Sequence, residues 1–124
     1  MKYNTNISRS RKKNRKRFFT SSSCQKRKAM VSPVSKEIRL KYQKKSVPLR
    51  KDFEVLIKKG LFKGKSGKIV QCQRKTNKVF VDNLVRNKTN KTSSFVPVSP
   101  SNLIVIRVLG NLLEKKNIKV NKKF

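Results

Sequence analysis

Histidine and tryptophan do not occur in this chain of 124 residues, and only 5 acidic side chains face 35 Lys and Arg. Without His, and with Glu37, Asp52, Glu54, Asp82 and Glu114 scattered along the sequence, no general acid–base pair is visible, which argues against an enzyme. Cysteine is as scarce. Cys24 and Cys72 make no CxxC pair, and two thiols without His cannot supply the four ligands of a structural zinc site, so no metal or other cofactor is expected. A disulfide between them is disfavoured because no secretory feature accompanies them. Cys72 alternates with Val70 in an apolar strand pattern and reads as a small core residue. No run approaches the ~18 apolar residues of a spanning helix. The amino terminus has no apolar signal core, so the sequons at Asn6, Asn87 and Asn90 are not read as glycosylated.

What remains is charge. The formal net charge is +30 on 14.4 kDa, and self-repulsion of that size opposes a compact state. A polyanion is therefore expected as partner. Nucleic acid fits best, because each phosphate met by Lys or Arg releases condensed counterions. An anionic membrane competes, but it calls for an apolar anchor beside the basic cluster, and none is seen. The Arg- and Ser-rich start also has the composition of an organelle transit peptide.

Apolar residues make up 35% of the chain; they thin out before Lys51 and concentrate from Phe53 to Leu113. Residues 1–51 read as a basic arm, 52–108 as a small domain and 109–124 as a basic tail. A domain of about 55–60 residues buries only about 60% of its unfolded surface, so a bound polyanion would add stability by mass action. The free chain is expected to be ordered only from Asp52 to Val108.

The arm opens with Arg9, Arg11, Lys12, Lys13, Arg15, Lys16 and Arg17, followed by Phe18 and Phe19. Such a block repels itself and should lack order when free, unless it is no more than a solvated tail. On RNA its cations find phosphates, and Phe18 or Phe19 can stack on a base or pack on the domain. After the Ser21–Ser23 break, where a serine can cap a short helix, comes a second cluster, Lys26, Arg27 and Lys28. Ser32 and Pro33 then predict a helix start, with Ser32 as cap and Pro33 in the first position. Val34, Ile38 and Tyr42 share one face of that helix, and Val47-Pro48 ends it.

From Asp52 the apolar period falls to two. Phe53, Val55 and Ile57 face one way. A loop over 59–67 leads to a strand over 68–74 with Val70 and Cys72 on its inner side. Lys75 to Asn77 turn the chain into Val79–Val81, residues 87–92 form a polar loop, and 94–98 and 103–106 are two further strands. Five short strands with tight connections predict a mostly β fold, a small antiparallel barrel.

Gly60 to Ser66 resembles a phosphate-binding P-loop but has three rather than four positions between its glycines. It also leads into a strand, where a P-loop opens a helix. As a strand–loop–strand the segment has another use. Gly64 and Gly67 can take positive φ, with Lys59, Lys63, Lys65 and Lys68 pointing outward to meet phosphates as point charges. A basic hairpin needing glycine only for its geometry is the plainer alternative. Gly60, Arg74 and Lys75 at the next turn, and Lys88 and Lys91 in the polar loop, complete the candidate RNA-binding set.

Asp52 to Gly60, Lys63 to Ile69 and the closing Val79 to Leu84 resemble a KOW motif. Together with Lys13–Arg17, Ser32–Arg39 and Val47–Asp52 before it and Pro100–Leu103 after it, the order is similar to the universal twenty-four family of large-subunit ribosomal proteins in its eukaryotic–archaeal form. Ser99 stands where that family's pattern has a His, and the tail after Val108 has no residue-by-residue match. The resemblance implies an SH3-like barrel with a basic arm containing short helices. It also implies a structural role on large-subunit ribosomal RNA near the polypeptide exit tunnel, with a part in assembly. Ribosomal RNA and neighbouring ribosomal proteins are the implied partners, with no membrane and no homo-oligomer. The cytoplasmic ribosome is the implied address, that of a reduced or organellar genome being the other. A KOW-containing transcription elongation or RNA-processing factor is the alternative.

Overall fold

A computed structural model describes residues 4–109; the basic tail read over 109–124 lies outside the described residues apart from Leu109. The fold is mixed, mostly antiparallel strands preceded by helices.

The basic block carries a helix, α1 (Arg11–Thr20), one of the short helices expected in the arm. Lys and Arg are good helix formers, and no Gly, Pro or β-branched residue interrupts them before Thr20. Hydroxyls close its end: Thr20 Oγ1 donates to the Lys16 carbonyl at 2.8 Å and Ser21 Oγ to that of Phe18 at 2.7 Å. None of its side chains is buried. α2 (Ser23–Ala29) begins at the serine break as expected, with Ser22 Oγ accepting from Gln25 N–H at 3.4 Å.

The third helix starts later than Ser32 predicts. α3 runs Lys36–Tyr42, capped by Ser35, and the left-handed Gln43 stops it. Val31–Pro33 is instead a strand, β1, paired antiparallel with β2 (Ser46–Pro48). Ser32 does not cap a helix because its hydroxyl is fully buried and donates to the Pro100 carbonyl. That contact is 68 residues away in sequence, beyond the reach of a local pattern. Ile38 and Tyr42 pack against the core as read, but Val34 is not on the helix: it is buried ahead of α3, in a bridge to Val105.

The central sheet has the order β5-β4-β3-β8, comprising β3 (Glu54–Ile57), β4 (Ser66–Gln73), β5 (Lys78–Val81) and β8 (Leu103–Arg107). A bulge in β4 corrects one expectation. Ile69 pairs with Val81 but Gln71 already pairs with Phe80, so Val70 is an extra residue in the ladder. Ile69 therefore faces inward with the half-buried Cys72, and Val70 is pushed out to 37% exposure.

Between β5 and β8 lies a strand pair, β6 (Val85–Asn87) with β7 (Ser93–Phe95). β6 carries no inward-facing residue, so it has no alternation to detect. The chain leaving β7 returns to β5 through a reciprocal pair: Val79 N–H donates to the Val98 carbonyl, and Val98 N–H to that of Val79, both at 2.9 Å. On the far edge Val34 bridges Val105, and Ser35 N–H donates to the Val105 carbonyl at 2.9 Å. The core joins Phe53, Val55, Ile57, Ile69, Val79, Val81, Leu84, Leu103 and Val105 to Met30, Val34, Val47 and Leu49. Those last four come from the segment read as arm.

Candidate nucleic-acid interface

Because the core is apolar apart from Ser32, the cations are left on the surface, where three segments gather them. α1 bears Arg11, Lys12, Lys13, Arg15, Lys16 and Arg17, all exposed, just after Arg9. The Arg15 guanidinium lies 5.5 Å from the Phe19 ring centroid, and Phe19 meets Phe18 edge-on at 5.4 Å. Phe19 is 61% exposed within the cationic patch. Lys26 Nζ reaches back to the Phe19 carbonyl at 3.4 Å, joining α2 to α1.

The glycine loop is the second surface. Gly60 and Gly64 have φ of 106° and 87°, a region that side chains resist. The loop is tied to the sheet by Gly64 N–H to the Ile57 carbonyl at 3.0 Å and Lys58 N–H to that of Asn102 at 2.7 Å. Lys59, Lys63, Lys65 and Lys68 are all exposed on it, and the Lys65 ammonium sits 5.3 Å from the Phe62 ring centroid. Gly67 differs from the positive-φ expectation. It lies in β4 with ordinary strand φ, and what it provides is space: an added Cβ would overlap the Asp82 carboxylate and stand 2.7 Å from a Val81 methyl. Asp82 Oδ1 there accepts from the Lys68 and Asn83 N–H groups at 2.9 and 2.8 Å, pinning the β5–β6 corner to β4.

The third group was only half legible. Arg27 and Arg74 are brought to one cleft, together with Arg50 and Lys51, which the RNA-binding set omitted. A run of basic residues was the available signal, but convergence from separate elements leaves none. Lys28 is exposed on α2, Lys75 in the β4–β5 turn, and Lys88 and Lys91 in the turn closing β6 on β7, where Lys88 N–H donates to the Thr92 carbonyl at 2.8 Å. The structure brings none of these four into the cleft. Glu54 meets Arg107 at 4.0 Å, and this exposed pair contributes little. Both thiols are free. Burial pushes the Cys72 thiol up, with Arg74 opposing more weakly, so it stays protonated.

Fold and site define a small, strongly basic and mostly β protein, apolar inside and cationic outside, with a helical arm. The comparisons specify it further. The family model of the eukaryotic L26 ribosomal proteins, which also takes in their archaeal counterparts, matches residues 8–122, and the chain belongs to that family. It is 43% identical over 122 residues to the large ribosomal subunit protein uL24 of Dictyostelium discoideum, covering 94% of this chain and 88% of that one. Against the protein of the same name from Littorina littorea, identity is 43% over 109 residues, covering 87% and 76%. For that of Candida albicans it is 36% over 107 residues, covering 86% and 84%.

Proposed function

We propose that this chain is a structural constituent of the large ribosomal subunit, holding folded ribosomal RNA near the mouth of the polypeptide exit tunnel and assisting assembly of the subunit. The carrying observation is the separation of apolar core from cationic surface in a member of a ribosomal protein family. The strands are read as an SH3-like barrel serving as a rigid peg. The arm cations from Arg9 to Arg17, with Lys26, Arg27 and Lys28, neutralise phosphates where RNA helices converge. Lys59, Lys63, Lys65 and Lys68 dock the loop formed by Gly60, Gly64 and Gly67, while Arg74, Lys75, Lys88 and Lys91 contact the RNA at the far turns. Contacts of this kind follow backbone shape, because the deep groove of A-form RNA is closed to side chains. Neighbouring ribosomal proteins complete the surroundings, in the cytoplasmic ribosome. Among the described residues no helix is long and apolar enough to cross a membrane.

The test is sedimentation of a tagged chain in gentle lysates. It is expected with large subunits, and migration with RNA polymerase instead would replace this reading by the elongation-factor one. Neutralising Arg11, Lys12, Lys13, Arg15, Lys16 and Arg17 together should flatten the salt dependence of RNA binding by several units of log–log slope, at about 0.7–0.9 per phosphate contact. An unchanged slope removes the arm from the interface.

A further inference from the structure

The C-terminal end of α2, the chain leaving β2 and the outer half of β4 enclose a cleft of about 560 Å³. Arg27, Arg50, Lys51 and Arg74 line it, and no carboxylate is among its lining residues. Four like charges around one space repel one another, so the arrangement favours an anion between them. The floor is of different chemistry. Met30 is 2% exposed, and Val70, turned outward by the bulge, is 37% exposed.

The walls are held by main-chain bonds rather than by the cations themselves. Leu49 N–H donates to the Met30 carbonyl at 3.1 Å, which fixes β2 to the end of α2. Asp52 N–H donates to the Ile69 carbonyl at 2.9 Å, which fixes the chain after β2 to β4. The opening therefore exists before any ligand arrives.

A lone phosphate would use the rim and leave the apolar floor empty. A regular duplex presents its phosphates on a convex surface and cannot enter. A nucleotide swung out of a helix offers both features, an apolar base and ribose with a phosphate on either side, and unstacked nucleotides are what proteins read in folded RNA. The volume falls within the roughly 300–1,000 Å³ of small-ligand sites, and arginine forks match phosphate oxygens in pairs.

We propose that this cleft receives a single unstacked nucleotide, its base and ribose over Met30 and Val70 and its flanking phosphates on Arg27, Arg50, Lys51 and Arg74. The inference rests on the RNA-binding reading above and adds a particular site to it.

The probes are two RNA hairpins of equal length, one fully paired and one with a single-nucleotide bulge randomised over the four bases. The full chain is expected to bind the bulged hairpin more tightly. The triple variant R27Q/R50Q/R74Q should lose that preference, weaken on the bulged probe by roughly tenfold or more, and lower its salt slope by about 2 units. An arm variant, K12Q/K13Q/K16Q, should weaken both probes alike and keep the preference. Amide shifts of Val70 and Gln71 in the unmodified chain provide a readout independent of variant folding; they should move with the bulged probe and stay put with the paired one. Equal affinity of the unmodified chain for both probes, a preference surviving in the triple variant, or immobile Val70 and Gln71 amides would each overturn the cleft. Failure of the unmodified chain to bind either hairpin at about 100 mM salt would instead overturn the RNA reading.

Discussion

Gly64 in the loop and Gly67 at the start of β4 serve opposite needs, and substitution should separate them. Gly64 has open space around it but φ of 87°, so Gly64→Ala strains only the backbone, at about 1–2 kcal/mol. Gly67 has unstrained φ but no room, so Gly67→Ala must displace the Asp82 carboxylate from the Lys68 and Asn83 N–H groups. Overpacking plus a lost charge-assisted hydrogen bond should cost about 2–4 kcal/mol. Urea unfolding checks both, and in an Asp82→Ala background the cost of Gly67→Ala should shrink while that of Gly64→Ala does not. Cys72 gives a pH signature. Its thiol titrates above its ordinary value of 9.0, chiefly through burial, so the folded state holds the proton more tightly than the unfolded one. Its contribution to stability is complete below pH 9 and is lost as pH rises through the folded value. Iodoacetamide at about pH 8 should alkylate the exposed Cys24 well ahead of Cys72, and equal rates would refute the protected thiol.

The elements before Asp52 divide into those that touch the core and those that do not. α1 buries nothing, so breaking it with Arg15→Pro should remove helical signal from circular dichroism yet move the unfolding free energy by less than about 0.5 kcal/mol. Leu49, just beyond β2, is 7% exposed and belongs to the core cluster, and Leu49→Ala should cost about 2–5 kcal/mol. If the two variants lost stability equally, α1 would be docked rather than free-standing. Pattern reading identified the apolar face of α3 but put its start too early, because Ser-Pro is compatible both with a helix cap and with a strand. The alternation of Phe53, Val55 and Ile57 was legible, since a strand with one wet face leaves that record. A bulge removes it: Val70 and Cys72 keep a spacing of two in the sequence, but Val70 is itself the extra residue of the ladder, so the two do not share a face.

For the whole molecule, the decisive quantity is how much of the chain the core requires. Composition placed the start of the domain near residue 52, where apolar residues become dense. Met30, Val34, Val47 and Leu49 nevertheless pack in the same cluster as Phe53 and Leu103. At about 1.5–3 kcal/mol for each buried side chain, those four contribute together about 6–12 kcal/mol, comparable to the 5–15 kcal/mol or so that holds an average domain folded. Removal of residues 1–29 should therefore leave a cooperative thermal transition, while removal of residues 1–51 should abolish it. Cooperative unfolding of the shorter fragment would show that the β strands suffice. The cations of the arm, by contrast, should govern the strength of polyanion binding and its salt dependence without governing the fold.

Charge and apolar periodicity are one-dimensional properties, and they carried the polyanion partner, the β character of residues 53–106, the lysine-rimmed loop and the family resemblance. Nothing one-dimensional pairs Ser32 with Pro100 or sets Arg27 and Arg74 beside Arg50. Those contacts arise from chain closure, when separate elements bury a shared apolar surface and the polar groups between them must find partners or stay in water. The site residues read from runs of Lys and Arg are those whose neighbours in sequence are also their neighbours on the surface. In the cleft Arg27, Arg74 and the Arg50–Lys51 pair become neighbours only when Met30 and Leu49 join the core, because hydrophobic burial, indifferent to the charges it carries along, sets where they stand.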